Sequence, residues 1–229
     1  MIGAVTGESG LFARLVAAAE RDWRAYIRHR FVLLLASGEL PEACFRRYLV
    51  QDYLFLIHFA RAWGLAIYKS DALGEMRRAQ RLVAATLDVE IGLHIDYCRG
   101  WGLSEAAMAS EPEAPATIAY TRFVLDRGVA GDRLDLEVAL APCIVGYAVI
   151  AAERTSDATT RLEGNRYREW LEMYAGSDYQ QLASEAAAAL DEQFARRGGE
   201  GRFSALAGTF AAASRLEADF WQMGLEAQS

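Results

Sequence analysis

An all-α bundle is the fold class the sequence predicts, and three observations carry the prediction. Apolar residues recur at intervals of three and four along most of the 229 residues, and alternating strand patterns are missing. Only four prolines occur, and Gly-rich punctuation is confined to a few sites such as CRGWG and RRGGEG. More than half of the residues are hydrophobic, enough to bury one large core. With no Pro/Ser-rich linker or low-complexity tract between halves, residues 1–229 are expected to form a single helical domain.

Each element can be justified in order. Leu11, Leu15, Ala18, Ala19, Trp23, Tyr26 and Ile27 lead an apolar stripe that reaches Val32, Leu33 and Leu34 before Gly38. Pro41 opens the next helix, apolar on most faces and therefore central, which runs to about Tyr68. A third helix spans about Leu73 to Gly100. SEPEAPA reads as a loop, followed by a helix from about Ala116 to Asp126 and a turn over DRGVAGD. Helices at about Leu134–Glu153, 164–175, 177–196 and Phe203–Leu225 complete the series. No repeat of solenoid period is present.

Composition narrows the partners. The formal net charge is −7, and basic residues alternate with acidic ones, which argues against a nucleic-acid surface. No apolar run is read as reaching the roughly 18 residues of a membrane span. MIGAVTGESG lacks the charged-then-apolar pattern of a leader, and three dispersed cysteines do not suggest a disulfide framework. A cytoplasmic protein with reduced thiols is expected.

Four places stand out chemically. In ALAPCIVGYA, Pro142 should loosen a buried helix just before Cys143, with Tyr147 one turn later on the same face. Cys143 is either a small core residue or a nucleophile at a cavity wall. Cys44 and Cys98 have no such company and read as structural. Asp52 is a lone carboxylate within the apolar YLVQDYLFLIHF, with Phe55 three residues on. It calls for an arginine from a neighbouring helix or for a polar ligand group. Glu217 and Asp219 lie in SRLEADFWQM, where a solvated acidic face is the simpler account of either. Glu90 and His94, at i,i+4, form either a weak metal-ligand pair or a hydrogen-bonded packing pair. Tyr120 and Tyr174 line a cavity or fill core. No Gly-rich phosphate loop, CxxC or GxSxG is present.

Together these positions resemble the TenA/thiaminase II family. The carrying stretches are FRRYLVQDYLFLIHFARA, EIGLHIDYCRGWGLS, APATIAYTRFVL, ALAPCIVGYA, YREWLEMYAG and LEADFWQM, collinear over nearly the whole chain. The resemblance implies a haem-oxygenase-like bundle without haem or other cofactor, assembled as a homotetramer. It implies hydrolysis of an aminopyrimidine, either 4-amino-5-aminomethyl-2-methylpyrimidine or thiamin, to the 5-hydroxymethyl product. Carried over by position, Cys143 is the nucleophile and Glu217 the acid that protonates the leaving group. Asp52 binds the aminopyrimidine, and Tyr120, Tyr147 and Tyr174 surround it. Phe55 stands where many family members have a tyrosine, which leaves the substrate preference open. Two other readings compete: a metal-dependent oxidase of the same fold using Glu90 and His94, and a pyrimidine-binding regulator without turnover.

Overall fold

The computed structural model describes residues 10–228. The N-terminal stretch read above for a leader lies almost wholly outside them. Every regular element among the described residues is helical, so the all-α expectation holds. The chain resolves into two compact units. One holds the chain up to Leu40 together with Glu137–Gln222, and the other Pro41–Leu136 together with the chain from Met223.

In the first unit the N-terminal stripe is three short helices, α1 (Leu11–Ala18), α2 (Glu20–Ile27) and α3 (Arg30–Ser37). The break before α3 has a local cause: the His29 Nδ1 accepts the Phe31 N–H at 3.2 Å and so caps a new helix. Gly38 ends α3 with φ 78°, in the left-handed region that glycine adopts without strain. Asn165 then ties the later 160s loop to this end. Its amide donates to the Leu35 and Ala36 carbonyls at 3.0 and 3.2 Å, and its oxygen accepts the Tyr167 N–H. Helices α11 (Arg168–Ala175) and α12 (Ser177–Arg197) follow, and α13 (Glu200–Leu225) begins three residues earlier than its sequence pattern.

The second unit is built on α4 (Glu42–Tyr68), buried along most of its length, as its apolar faces require. The expected third helix is α5 (Leu73–Ala84), a π-helical segment (Ala85–Glu90) and α6 (Ile91–Gly100). A short helix, α7 (Glu105–Ser110), was not anticipated; Ser104 caps it by accepting the Ala107 N–H at 3.2 Å. The turn expected over DRGVAGD is also corrected. Helix α8 (Pro115–Ala130) runs through Gly128 and stops at Gly131. Gly128 is there for close packing, since a Cβ would sit 2.8 Å from Leu65 and 2.9 Å from Leu136 side-chain atoms. Arg133 opens α9 (Arg133–Ala141) fully buried, hydrogen-bonded to Ser70 and 3.5 Å from Glu75.

The apolar helix continuing from α9 corrects one reading. A π-helical segment (Pro142–Gly146) and α10 (Tyr147–Thr155) extend it, and Arg133–Thr155 is long and apolar enough to cross a membrane. Yet 94% of its most apolar stretch is buried inside the protein, as in a core helix.

Gln51 shows how the second unit holds its loop. Its amide donates to the Pro112 carbonyl at 3.0 Å, while its oxygen accepts from the Ala114 N–H and the Thr117 hydroxyl, each at 2.7 Å. Gln51→Leu strips all three groups of a buried partner. Urea denaturation should show it less stable by about 2–3 kcal/mol.

Candidate functional site

The residues singled out by sequence divide between the units. Cys143, Tyr147, Tyr174 and Glu217 fall in the first, and Asp52, Phe55 and Tyr120 in the second.

In the first unit the site begins with a backbone defect. Pro142 has no N–H for the preceding turn, and the five residues Pro142–Gly146 wind as a π-helix. Widened turns leave carbonyls seeking donors, and side chains from other helices supply them. Tyr26 of α2 donates its hydroxyl to the Pro142 carbonyl at 3.1 Å, and Tyr179 of α12 donates to that of Ile144 at 3.3 Å. Gln180 donates to the carbonyls of Ala148 and Tyr174 at 3.0 and 2.7 Å. Cys143 sits inside this clamped segment, 8% exposed. The expectation that Pro142 loosens the helix at the cysteine therefore holds. Gly146 lets Tyr26 approach, because a Cβ there would meet its ring at 2.5 Å.

An aromatic cluster adjoins in the same unit. Tyr147 lies 4.9 Å from Tyr174, 5.8 Å from Trp170 and 5.3 Å from Trp221 between ring centroids. Trp221 is stacked on Phe31 at 5.0 Å. Glu217, one turn before Trp221, is 1% exposed, whereas Asp219 is exposed. The solvated-face account fails for Glu217 and holds for Asp219. Leu216, half-buried, does not share the Glu217 face; it borders a surface groove with Asp22, Arg215 and Asp219. The i,i+3,i+4 set Glu217, Phe220 and Trp221 turns inward instead.

The second unit places Asp52, 3% exposed, at the middle of α4. Its partner is not the arginine that sequence suggested. His94 Nε2 lies 2.7 Å from Asp52 Oδ2, and the Tyr48 hydroxyl donates to the same oxygen at 3.0 Å. The His94 Nδ1 is 2.7 Å from the Glu90 backbone carbonyl, so the Glu90–His94 pairing runs through the backbone and not the carboxylate. Both imidazole nitrogens are thereby engaged, and among the described residues no group of three or more His, Cys, Asp or Glu gathers as a metal site. Phe55 packs 4.9 Å from Tyr120 and 5.8 Å from Phe59.

The fold matches solved structures. Over 98% of this chain and 99% of the other, it superposes with a TM-score of 0.91 on a TenA family transcription regulator from Silicibacter sp. TM1040, 43% identical. The family model described as TENA/THI-4/PQQC matches residues 16–227. The chain belongs to this TenA family. Among its relatives, an uncharacterized protein of Haemophilus influenzae is 39% identical over 94% of this chain and 99% of its own length. An aminopyrimidine aminohydrolase of Halalkalibacterium halodurans is 33% identical over 92% and 93%.

Within this TenA chain the cysteines differ in setting. Burial pushes the Cys98 thiol up to about 11 and raises that of Cys44, which keeps both protonated at neutral pH. Sequence reasoning missed Tyr48, though it lies four residues before Asp52 in FRRYLVQDY and its helical spacing was readable. It also missed Tyr26, Tyr179 and Gln180, which reach carbonyls 116, 35 and 32 residues away and so leave no local pattern.

Burial alone would lower the His94 pKa. The Asp52 hydrogen bond and charge, with the Glu90 carboxylate behind them, outweigh it and hold the pKa above 6.5. Folding therefore draws a proton onto His94. The stability gained is complete below about pH 6.5 and is lost as pH rises through the higher folded value. Denaturation curves between roughly pH 6 and pH 9 should show wild type losing stability that His94→Gln does not lose. Separately, Gly146→Ala displaces Tyr26 and should cost roughly 1–3 kcal/mol by thermal unfolding.

Proposed function

We propose that this chain is an aminopyrimidine aminohydrolase of the thiaminase II type. It hydrolyses 4-amino-5-aminomethyl-2-methylpyrimidine, and thiamin where the leaving group fits, in thiamin salvage. The observation that carries the reading is Cys143 on a π-helical segment clamped by Tyr26 and Tyr179. Elaborate support for an irregular turn around a thiol suits a nucleophile better than a core residue. Family membership and the named aminohydrolase relative support the substrate class.

In this reading the Cys143 thiolate adds to a carbon of the pyrimidine ring. The displaced electron pair expels the amine from the 5-methylene, and Glu217 supplies the proton the amine needs to leave. Water then adds to the exocyclic methylene and gives its proton to the Glu217 carboxylate. Loss of the thiolate restores the aromatic ring. One water is consumed and one ammonia released. Asp52 holds the ring's amino edge, and Tyr120, Tyr147 and Tyr174 with Phe55 provide flat walls that orient it. The buried setting of Glu217 supports its role, since an acid that must deliver a proton benefits from exclusion of water. No cofactor enters this scheme. The reading includes a cytoplasmic homotetramer, as the family resemblance implies.

A pyrimidine-binding regulator is the second reading, favoured by the name of the 43%-identical Silicibacter protein. Ammonia release from 4-amino-5-aminomethyl-2-methylpyrimidine, with thiamin alongside, separates the two. Wild type should release ammonia with kcat reduced at least about 1,000-fold in Cys143→Ser and about 100-fold in Glu217→Gln. Tight binding of the pyrimidine without release would establish the regulator. Turnover at the wild-type rate by Cys143→Ser would overturn the covalent scheme.

A further inference from the structure

The reaction outlined above uses Asp52 but not the histidine buried against it. We propose that His94 is a positioning residue that occupies one oxygen of Asp52 and balances its charge, so that the other oxygen accepts a hydrogen bond from the ring amino group of an uncharged pyrimidine ring. The proposal rests on the aminopyrimidine reading of Asp52.

The geometry assigns the protons. A backbone carbonyl can only accept, so the His94 Nδ1, 2.7 Å from the Glu90 carbonyl, carries a hydrogen. The nitrogen left to titrate is Nε2, which faces Asp52 Oδ2 at 2.7 Å. Tyr48 donates to that same oxygen at 3.0 Å. Oδ2 thus receives two donors, while among the described residues no hydrogen bond reaches Oδ1. A carboxylate so held offers its open oxygen to one N–H, and its orientation is set from two sides.

Charge points the same way. The groups facing His94 are Asp52 and Tyr48 from α4 and Glu90 from the turn preceding α6. His94 is wholly buried and Asp52 nearly so. An imidazolium beside a carboxylate makes a pair with no net charge, which an uncharged ring can approach without burying a further ion. Deprive the carboxylate of its counter-charge, and the substrate must approach a buried, uncompensated ion that is held from one side only.

Two measurements on the full-length protein test this. First, ¹⁵N spectra of the imidazole nitrogens of His94 should show both protonated at neutral pH. Titration should show the His94 pKa falling in Asp52→Asn. A His94 that is neutral at pH 6, or whose titration ignores Asp52→Asn, overturns the proposal. Second, steady-state kinetics of His94→Gln with 4-amino-5-aminomethyl-2-methylpyrimidine should show KM raised about tenfold near pH 7, with kcat within about threefold. The wild-type KM should rise toward that of His94→Gln as pH climbs and His94 loses its proton. Tyr48→Phe removes the uncharged donor and should give a smaller rise in KM that does not vary with pH, which keeps the test available if His94→Gln fails to fold. A kcat loss in His94→Gln that is the same at every pH, or an unchanged KM, overturns the positioning role while leaving the hydrolase reading intact. Failure of wild type to bind the aminopyrimidine at all would instead overturn the reading of Asp52 and this proposal with it.

Discussion

The hydrogen bond from the Tyr26 hydroxyl to the Pro142 carbonyl is the contact on which the cysteine's surroundings depend. A proline inside a long apolar helix removes a donor and crowds the preceding turn, at a cost of about 3 kcal/mol or more in an ordinary helix. Here the backbone relaxes into a wider turn, and its carbonyls find donors on α2 and α12. Gly146 makes room for the tyrosine ring, and Trp221 stacks on Phe31 beside the same cluster. The irregular turn is therefore over-determined. It persists because several elements hold it.

Polarity in the second unit follows another logic. Asp52 and His94 are each expensive to bury alone, and each relieves the other. Tyr48 and the Glu90 carbonyl complete the set, which leaves the histidine with a single titrating nitrogen. Cys98, on the same helix as His94, shows the opposite result: burial without an adequate cation pushes its thiol up to about 11 and leaves it inert. Local partners decide which buried groups are chemically useful.

The helical class, the central burial of α4 and the loosening at Pro142 were legible in the sequence because each is written in nearby residues. So were Asp52 and Cys143 as anomalies, a charge and a thiol in apolar company. The burial of Glu217 was not, because LEADF mixes an inward and an outward carboxylate and composition cannot say which is which. Nor was the Asp52 partner: His94 lies 42 residues away on another helix, and histidine gives no signal of what it faces. Gly128 misled for a related reason. A glycine needed for contact with Leu65 and Leu136 looks in sequence like one needed for a turn.

The discontinuity of the first unit has a consequence in time. Its early helices, α1 to α3, must wait for partners encoded after Glu137, whereas most of the second unit is one uninterrupted stretch. Tyr26 and the carbonyl it serves are 116 residues apart. At typical rates of synthesis that separation is on the order of 10 s on the ribosome. During that interval Phe12, Trp23, Tyr26 and Phe31, all fully buried in the finished protein, have no completed core to enter. The nascent N-terminal segment is thus the part of this chain most dependent on protection from association, and the thiol's turn gains its Tyr179 donor only after a further 35 residues.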